Sequence, residues 1–269
     1  MYPTITLFTN ARNERNIREW AAHHLLIGFD QIIIFDHKST IKLTSVFQNF
    51  DRRVRVIDVS YIDKPKIILM NIAATIARQM KSKYMLYLDA DEFFILNESF
   101  VGIKHFLLQY PYAHSIGVNW LMFGSNHLTT EPPNGILSNY TKSDRLLNQH
   151  VKSIVRTSEV VNATNPHYYN IRNSSRMIGI DRRQVVGDKA FHNTAIMPFE
   201  NAPAYIAHYI NQSEETFVRR KCLLPADDSG IVRNVCNSAH IHSEHNEVEN
   251  TYPKTKYSEN VRKFIAQYS

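Results

Sequence analysis

The chain has 269 residues, 43% hydrophobic and 21% charged, a globular balance that excludes a disordered or fibrous chain. Its net charge of +6 is dispersed in short pairs such as Arg52-Arg53 and Arg182-Arg183. That pattern suits solubility first and a phosphate-bearing ligand second, and no nucleic acid is expected as partner. The 8 Gly fall in neither dinucleotide-binding nor P-loop spacing. Two Cys, no apolar run of about 18 residues and no leader-like N-terminus point away from a disulfide scaffold, a transmembrane segment and a signal peptide. A soluble, cytoplasmic or otherwise intracellular protein is expected.

The first half alternates strand and helix. Tyr2–Thr9 reads as a strand that ends in the polar turn Asn10-Ala11-Arg12-Asn13. Asn16–Ile27 reads as a helix, with Ile17, Trp20, Ala21, His24 and Leu25 on one apolar face and Gly28 as its C-cap. Gln31–Phe35 is a wholly apolar strand of the buried parallel kind, closed by the loop Asp36-His37-Lys38-Ser39-Thr40. Val54–Val59, a helix over Ile67–Lys81 and the strand Tyr84–Leu88 follow. Later strands are expected at Ser115–Phe123, His150–Arg156, His167–Ile171 and Ala204–Tyr209, with a helix beginning near Ser213. The expected fold is α/β, a mostly parallel central sheet flanked by helices in one domain. Its ligand edge lies at the carboxyl ends of the strands, where Asn10, Asn13, Glu14, Asp36, Ser39, Asp89 and Asp91 gather.

Leu88-Asp89-Ala90-Asp91-Glu92-Phe93 is the sharpest chemical signal. In extended backbone Asp89 and Asp91 point to one side. Both can then reach one hard divalent cation, Mn²⁺ or Mg²⁺, which shares its remaining positions with substrate phosphates. Repulsion within this cluster predicts that Asp91→Ala stabilises the metal-free protein.

Ordered motifs accompany that cluster. Arg12-Asn13-Glu14, Glu19-Trp20, His24, Gly28, Asp36-His37-Lys38-Ser39 and Asp89-Ala90-Asp91-Glu92-Phe93 are followed by Asn119-Trp120-Leu121-Met122-Phe123-Gly124-Ser125. Then come His150-Val151-Lys152-Ser153-Ile154-Val155-Arg156 and His208-Tyr209 with Gln212-Ser213-Glu214-Glu215-Thr216-Phe217 and Lys221. In this order the chain resembles the nucleotide-sugar glycosyltransferases of the GT-A fold, in the family-2-like and family-92-like groups. Arg12 and Gln212 stand where those groups usually have Lys.

The resemblance implies a GT-A, Rossmann-like domain over residues 1–222 and a C-terminal extension over 223–269. It implies a metal-dependent transferase that takes a nucleotide-sugar donor, with UDP the expected nucleotide, and a glycan, protein or small-molecule hydroxyl acceptor. Asp89 and Asp91 would serve the metal, with His208 or His167 as a further ligand. Thr9, Asn10, Asn13, Glu14, Asp36, Ser39, Asp89, Lys152 and Lys221 would contact the donor. Asp36 and Glu14 also suit plain turn and helix-start chemistry, Trp20 and His24 suit the core, and His240, His242 and His245 read as surface. The residues alone leave two other functions open. A metal-dependent phosphohydrolase or nucleotidyltransferase would hydrolyse nucleotides without preferring a sugar donor. A non-catalytic carbohydrate- or nucleic-acid-binding module would keep its ligand after Asp91→Ala.

Overall fold

The computed structural model describes residues 3–225, 230–232 and 239–268. Strands β1 (Ile5–Ala11), β2 (Gln31–Asp36), β3 (Val54–Asp58) and β4 (Tyr84–Tyr87) alternate with helices α1 (Ile17–Leu26), α2 (Leu43–Val46) and α3 (Pro65–Gln79). The four strands pair in parallel in the order β3-β2-β1-β4. Successive residues face opposite layers. Leu7, Ile32, Ile34 and Leu86 pack with Trp20 and Leu25 of α1, while Phe8, Ile33, Phe35 and Met85 pack with Leu69, Met70 and Ala73 of α3. Trp20 and His24 are fully buried core residues, as their helix face predicts.

The second half contributes β5 (Glu92–Leu96), α4 (Ile103–Leu107), β6 (Ser115–Met122), α5 (Ile136–Asn139), β7 (Lys142–Ser143) and β8 (Val151–Arg156). It continues with β9 (Val160–Asn165), β10 (Tyr168–Ile171), β11 (Met177–Gly179), β12 (Ala204–His208), α6 (Glu214–Phe217), β13 (Val248–Glu249) and α7 (Glu259–Ala266). The sheet runs β3-β2-β1-β4-β8-β6-β12-β5, with β11 beside β6. It is mixed. β8 lies antiparallel to both β4 and β6, and β5 lies antiparallel to β12. Because β8 reverses once between them, β6 and β12 run in the same direction as β1 and β4. The carboxyl ends of β1, β4, β6 and β12 therefore share one edge with the amino end of β8.

Two expected elements sit elsewhere. The strand expected at His167–Ile171 is β10, which leaves the main sheet to pair with β9. Asp89, Ala90 and Asp91 are not extended. They form a tight turn, closed by the Glu92 amide on the Asp89 carbonyl at 3.1 Å, that sends the chain from mid-sheet to β5 at the far edge.

The segment from 239 onward packs on the domain. β13 pairs with β7, and α7 lies against α1. Tyr252, Lys256 and Tyr257 all reach the Leu96 carbonyl at the end of β5. Of the three histidines expected at the surface, only His240 is exposed. His242 bridges Ser125 Oγ at 2.8 Å and Glu214 at 2.6 Å, and His245 meets Asp144 at 2.9 Å. Cys236 lies outside the described residues.

Candidate active site

A cleft of about 330 Å³ opens at the shared strand edge. Asn10 comes from β1, Asp89 and Asp91 from the turn after β4, Trp120 from β6, Lys152 from β8 and His208 from β12. Glu14 and Arg12 enter from the loop after β1, Lys66 from the first turn of α3, and Arg220 and Lys221 from the π-helical turn Val218–Cys222 behind α6.

The two carboxylates face different cations. Asp89 lies between the Lys66 ammonium and the Lys152 ammonium, the latter at 3.0 Å, and both lysines are buried. Burial alone would raise the Asp89 carboxyl, but Lys152 and Lys66 hold it well below the usual carboxylate range. Lys152 also meets Glu92 at 3.4 Å, and burial keeps the Glu92 carboxyl raised. Asp91 takes the Arg220 guanidinium at 3.0 Å, and Arg220 is braced from behind by Glu14 at 2.9 Å. Burial opposes ionisation of Asp91, yet Arg220 and His208 hold its carboxyl well below the ordinary range.

Asp91 Oδ2 and His208 Nε2 stand 3.7 Å apart. That is longer than an ordinary hydrogen bond, so the pair attracts without closing the space between the two atoms. A carboxylate oxygen and an imidazole nitrogen at this spacing are a donor set that suits a borderline divalent cation, although Arg220 holds the same oxygen here. Among the described residues no three His, Cys, Asp or Glu side chains gather as a metal site. The remaining positions of an ion at Asp91 and His208 would fall to substrate oxygens and water. The residues present fit a metal on those terms.

The other wall is aromatic. Trp120 stacks on His150 at 5.1 Å between ring centroids, with His167 at 5.0 Å and His208 at 4.4 Å. His167 Nδ1 lies 3.1 Å from the Val151 carbonyl, which can only accept, so Nδ1 carries the proton and Nε2 keeps its lone pair. Burial lowers the His167 pKa to about 4, which keeps the ring neutral.

The expected donor contacts divide into two groups. Asn10, Glu14, Asp89, Lys152 and Lys221 line the cleft together with Asp91, His167 and His208. Thr9, Asn13, Asp36 and Ser39 do not line it. Thr9 is wholly buried. Asp36 accepts the Ser39 and Leu43 amides, at 3.2 and 2.9 Å, and so closes the loop into α2. Asn13 accepts the Thr40 amide and donates its own amide to Ser39 Oγ. Its positive φ of 56° marks a built turn.

Lys66 and Arg220 are missing from the sequence reading. A lysine in the first turn of a helix opposes the helix dipole, which makes Lys66 an anomaly visible in Pro65-Lys66. Arg220 sits beside the Lys221 that the motif singles out.

The cleft lies at the strand ends, where α/β folds place their ligands, and it sets five cationic side chains against three carboxylates. The chain matches glycosyltransferase family 92 over residues 5–219 and belongs to that family. It is a glycosyltransferase. No curated protein matches it. Among solved structures it is similar to HddC from Yersinia pseudotuberculosis, at 12% identity and a TM-score of 0.31, covering 58% of this chain and 69% of that one. It is also similar to mannose-1-phosphate geranyltransferase from Thermus thermophilus, at 9% identity and a TM-score of 0.32, covering 57% and 50%.

Proposed function

We propose that the protein is a GT-A transferase that moves a sugar from a nucleoside-diphosphate donor, UDP-linked, to a hydroxyl acceptor, with Mn²⁺ or Mg²⁺ in the cleft. The observation that carries this reading is the convergence of Asp91, His208, Lys66, Lys152 and Arg220 at one edge of the sheet. Asp91 and His208 would hold the ion. When bound, it would supply charge stabilisation to the departing diphosphate.

The chain's own residues supply the rest. Lys66 and Lys152, fixed in place by Asp89, present buried positive charge to the phosphates. That charge needs no reorganisation as the leaving group develops its own. Asp89 is thus a positioning residue for two lysines. On the opposite wall, Trp120 offers an apolar face to an acceptor, and His167 Nε2 accepts the hydrogen bond of its hydroxyl.

Calorimetry tests the donor half of this reading. UDP should bind in the presence of Mn²⁺ and weaken by at least about tenfold in EDTA, a loss of about 1.4 kcal/mol. Equal affinity in both conditions would remove the metal from the reading. Rapid nucleotide hydrolysis with no preference for a sugar donor would favour a phosphohydrolase.

A further inference from the structure

We infer that Arg220 is a donor-diphosphate ligand that stands in the divalent cation's place on Asp91 until nucleotide draws it away, so that metal and donor bind as a coupled pair. The inference rests on the reading proposed above and specifies how that site is regulated.

The geometry sets up a competition for one atom. Asp91 Oδ2 is the oxygen that Arg220 Nη2 contacts at 3.0 Å and also the oxygen that His208 Nε2 approaches at 3.7 Å. An ion held by Asp91 and His208 would share that oxygen with a guanidinium. Asp91 is buried, and only a tenth of the Arg220 side chain is exposed. Like charges at that separation repel strongly where water cannot screen them. Arg220 cannot relieve the conflict by losing its proton, because a guanidinium stays protonated in proteins.

The second arm of the guanidinium gives it somewhere to go. Arg220 Nε is held by Glu14 at 2.9 Å, so Nη2 can leave Asp91 while the side chain stays tethered in the cleft. A diphosphate there offers the anionic oxygens a guanidinium fork prefers. Arg219, next in sequence, points its charge elsewhere, to the Asn13 carbonyl at 3.0 Å and to Glu131 at 2.9 Å. Asp89 sits in no such competition, since both of its oxygens are held by lysines.

If diphosphate must draw Arg220 off Asp91 before the ion can enter, nucleotide raises metal affinity, and metal raises nucleotide affinity by the same factor. The test titrates Mn²⁺ by electron paramagnetic resonance, with UDP absent and with UDP saturating. In the wild-type protein UDP should tighten Mn²⁺ by about tenfold or more. In Arg220→Ala, and in Arg220→Gln as a variant that keeps hydrogen bonding, Mn²⁺ alone should bind about tenfold tighter than in the wild type. UDP should bind those variants more weakly, and the coupling should shrink to about threefold or less. Arg219→Ala removes an equal charge without touching Asp91 and should leave the coupling as it is.

Full coupling in both Arg220 variants would overturn the inference while leaving the metal reading standing. So would a gain in free Mn²⁺ affinity matched by Arg219→Ala. A wild-type protein that takes no Mn²⁺ even with UDP would overturn both.

Discussion

Buried charge decides most of what single residues do here. Asp89→Asn would leave Lys66 and Lys152, exposed by only 5% and 2%, facing a neutral amide. Asp91→Asn would leave Arg220 still held by Glu14. Breaking a buried pair from one side costs about 3–5 kcal/mol. Asp89→Asn should therefore melt well below wild type, and Asp91→Asn should melt closer to it, as calorimetric scans would show. The gain in stability that repulsion predicts for Asp91→Ala is not expected either, because Arg220 attracts Asp91 more strongly than its neighbouring carboxylates repel it.

Glu19 gives a second test at this scale. Burial raises its pKa to about 7, although it accepts the Ile136 and Leu137 amides. The folded state thus holds a proton that the unfolded state, with a carboxyl near 4.5, gives up. Stability from this group is full below about pH 4.5 and is lost as pH rises through about 7. His23 works in the opposite direction. Burial lowers its pKa from 6.5 to about 4, so its contribution is full above about pH 6.5 and is lost as pH falls toward 4. The melting temperature of Glu19→Gln relative to wild type should rise from about pH 5 toward pH 7 and level off above it. A constant difference across that range would show that Glu19 is charged in the fold.

Among the elements, the C-terminal segment adds to its β13 and α7 contacts a cluster of side chains on one backbone position, Leu96. Tyr257 is buried beside His23 at 4.7 Å, and its hydroxyl pairs with both the amide and the carbonyl of Leu96. Tyr257→Phe keeps the ring but leaves the Leu96 amide without that partner, which costs about 1–3 kcal/mol. Urea denaturation should show this as a lower midpoint with an unchanged slope. The sequence reading of the elements succeeded where period and punctuation agree. The four strands β1 to β4 and helices α1 and α3 lie where expected, although β1 runs through Asn10 to Ala11 and the short α2 was not expected. Ser213 caps α6 by accepting the Thr216 amide as its position predicts.

Strand direction was not legible in the same way. Nothing in Val151–Arg156 distinguishes a parallel strand from an antiparallel one, because both place alternate residues on alternate faces. Phe93-Phe94-Ile95-Leu96 was missed as β5 because the acidic turn before it reads as the end of a unit rather than a crossing to the far edge. Within the site, carboxylates beside a strand end were visible by spacing. The resemblance singled out Lys152, but its pairing and that of Lys66 with Asp89 were not legible, since they are separated from it by 63 and 23 positions and meet it only through the fold.

For the molecule as a whole, the mixed sheet brings residues from distant parts of the chain to one edge. β8 enters antiparallel between β4 and β6, so Lys152 at its start joins Asn10, Asp89 and His208 at strand ends. The most direct test incubates the protein with Mn²⁺, a sugar acceptor and a panel of UDP- and GDP-sugars, and measures nucleotide release and the glycosylated product by mass spectrometry. One UDP-sugar should yield product. Asp91→Asn, folded and melting near wild type, should lose at least about a hundredfold in rate. Product formation at the wild-type rate by Asp91→Asn would contradict the account.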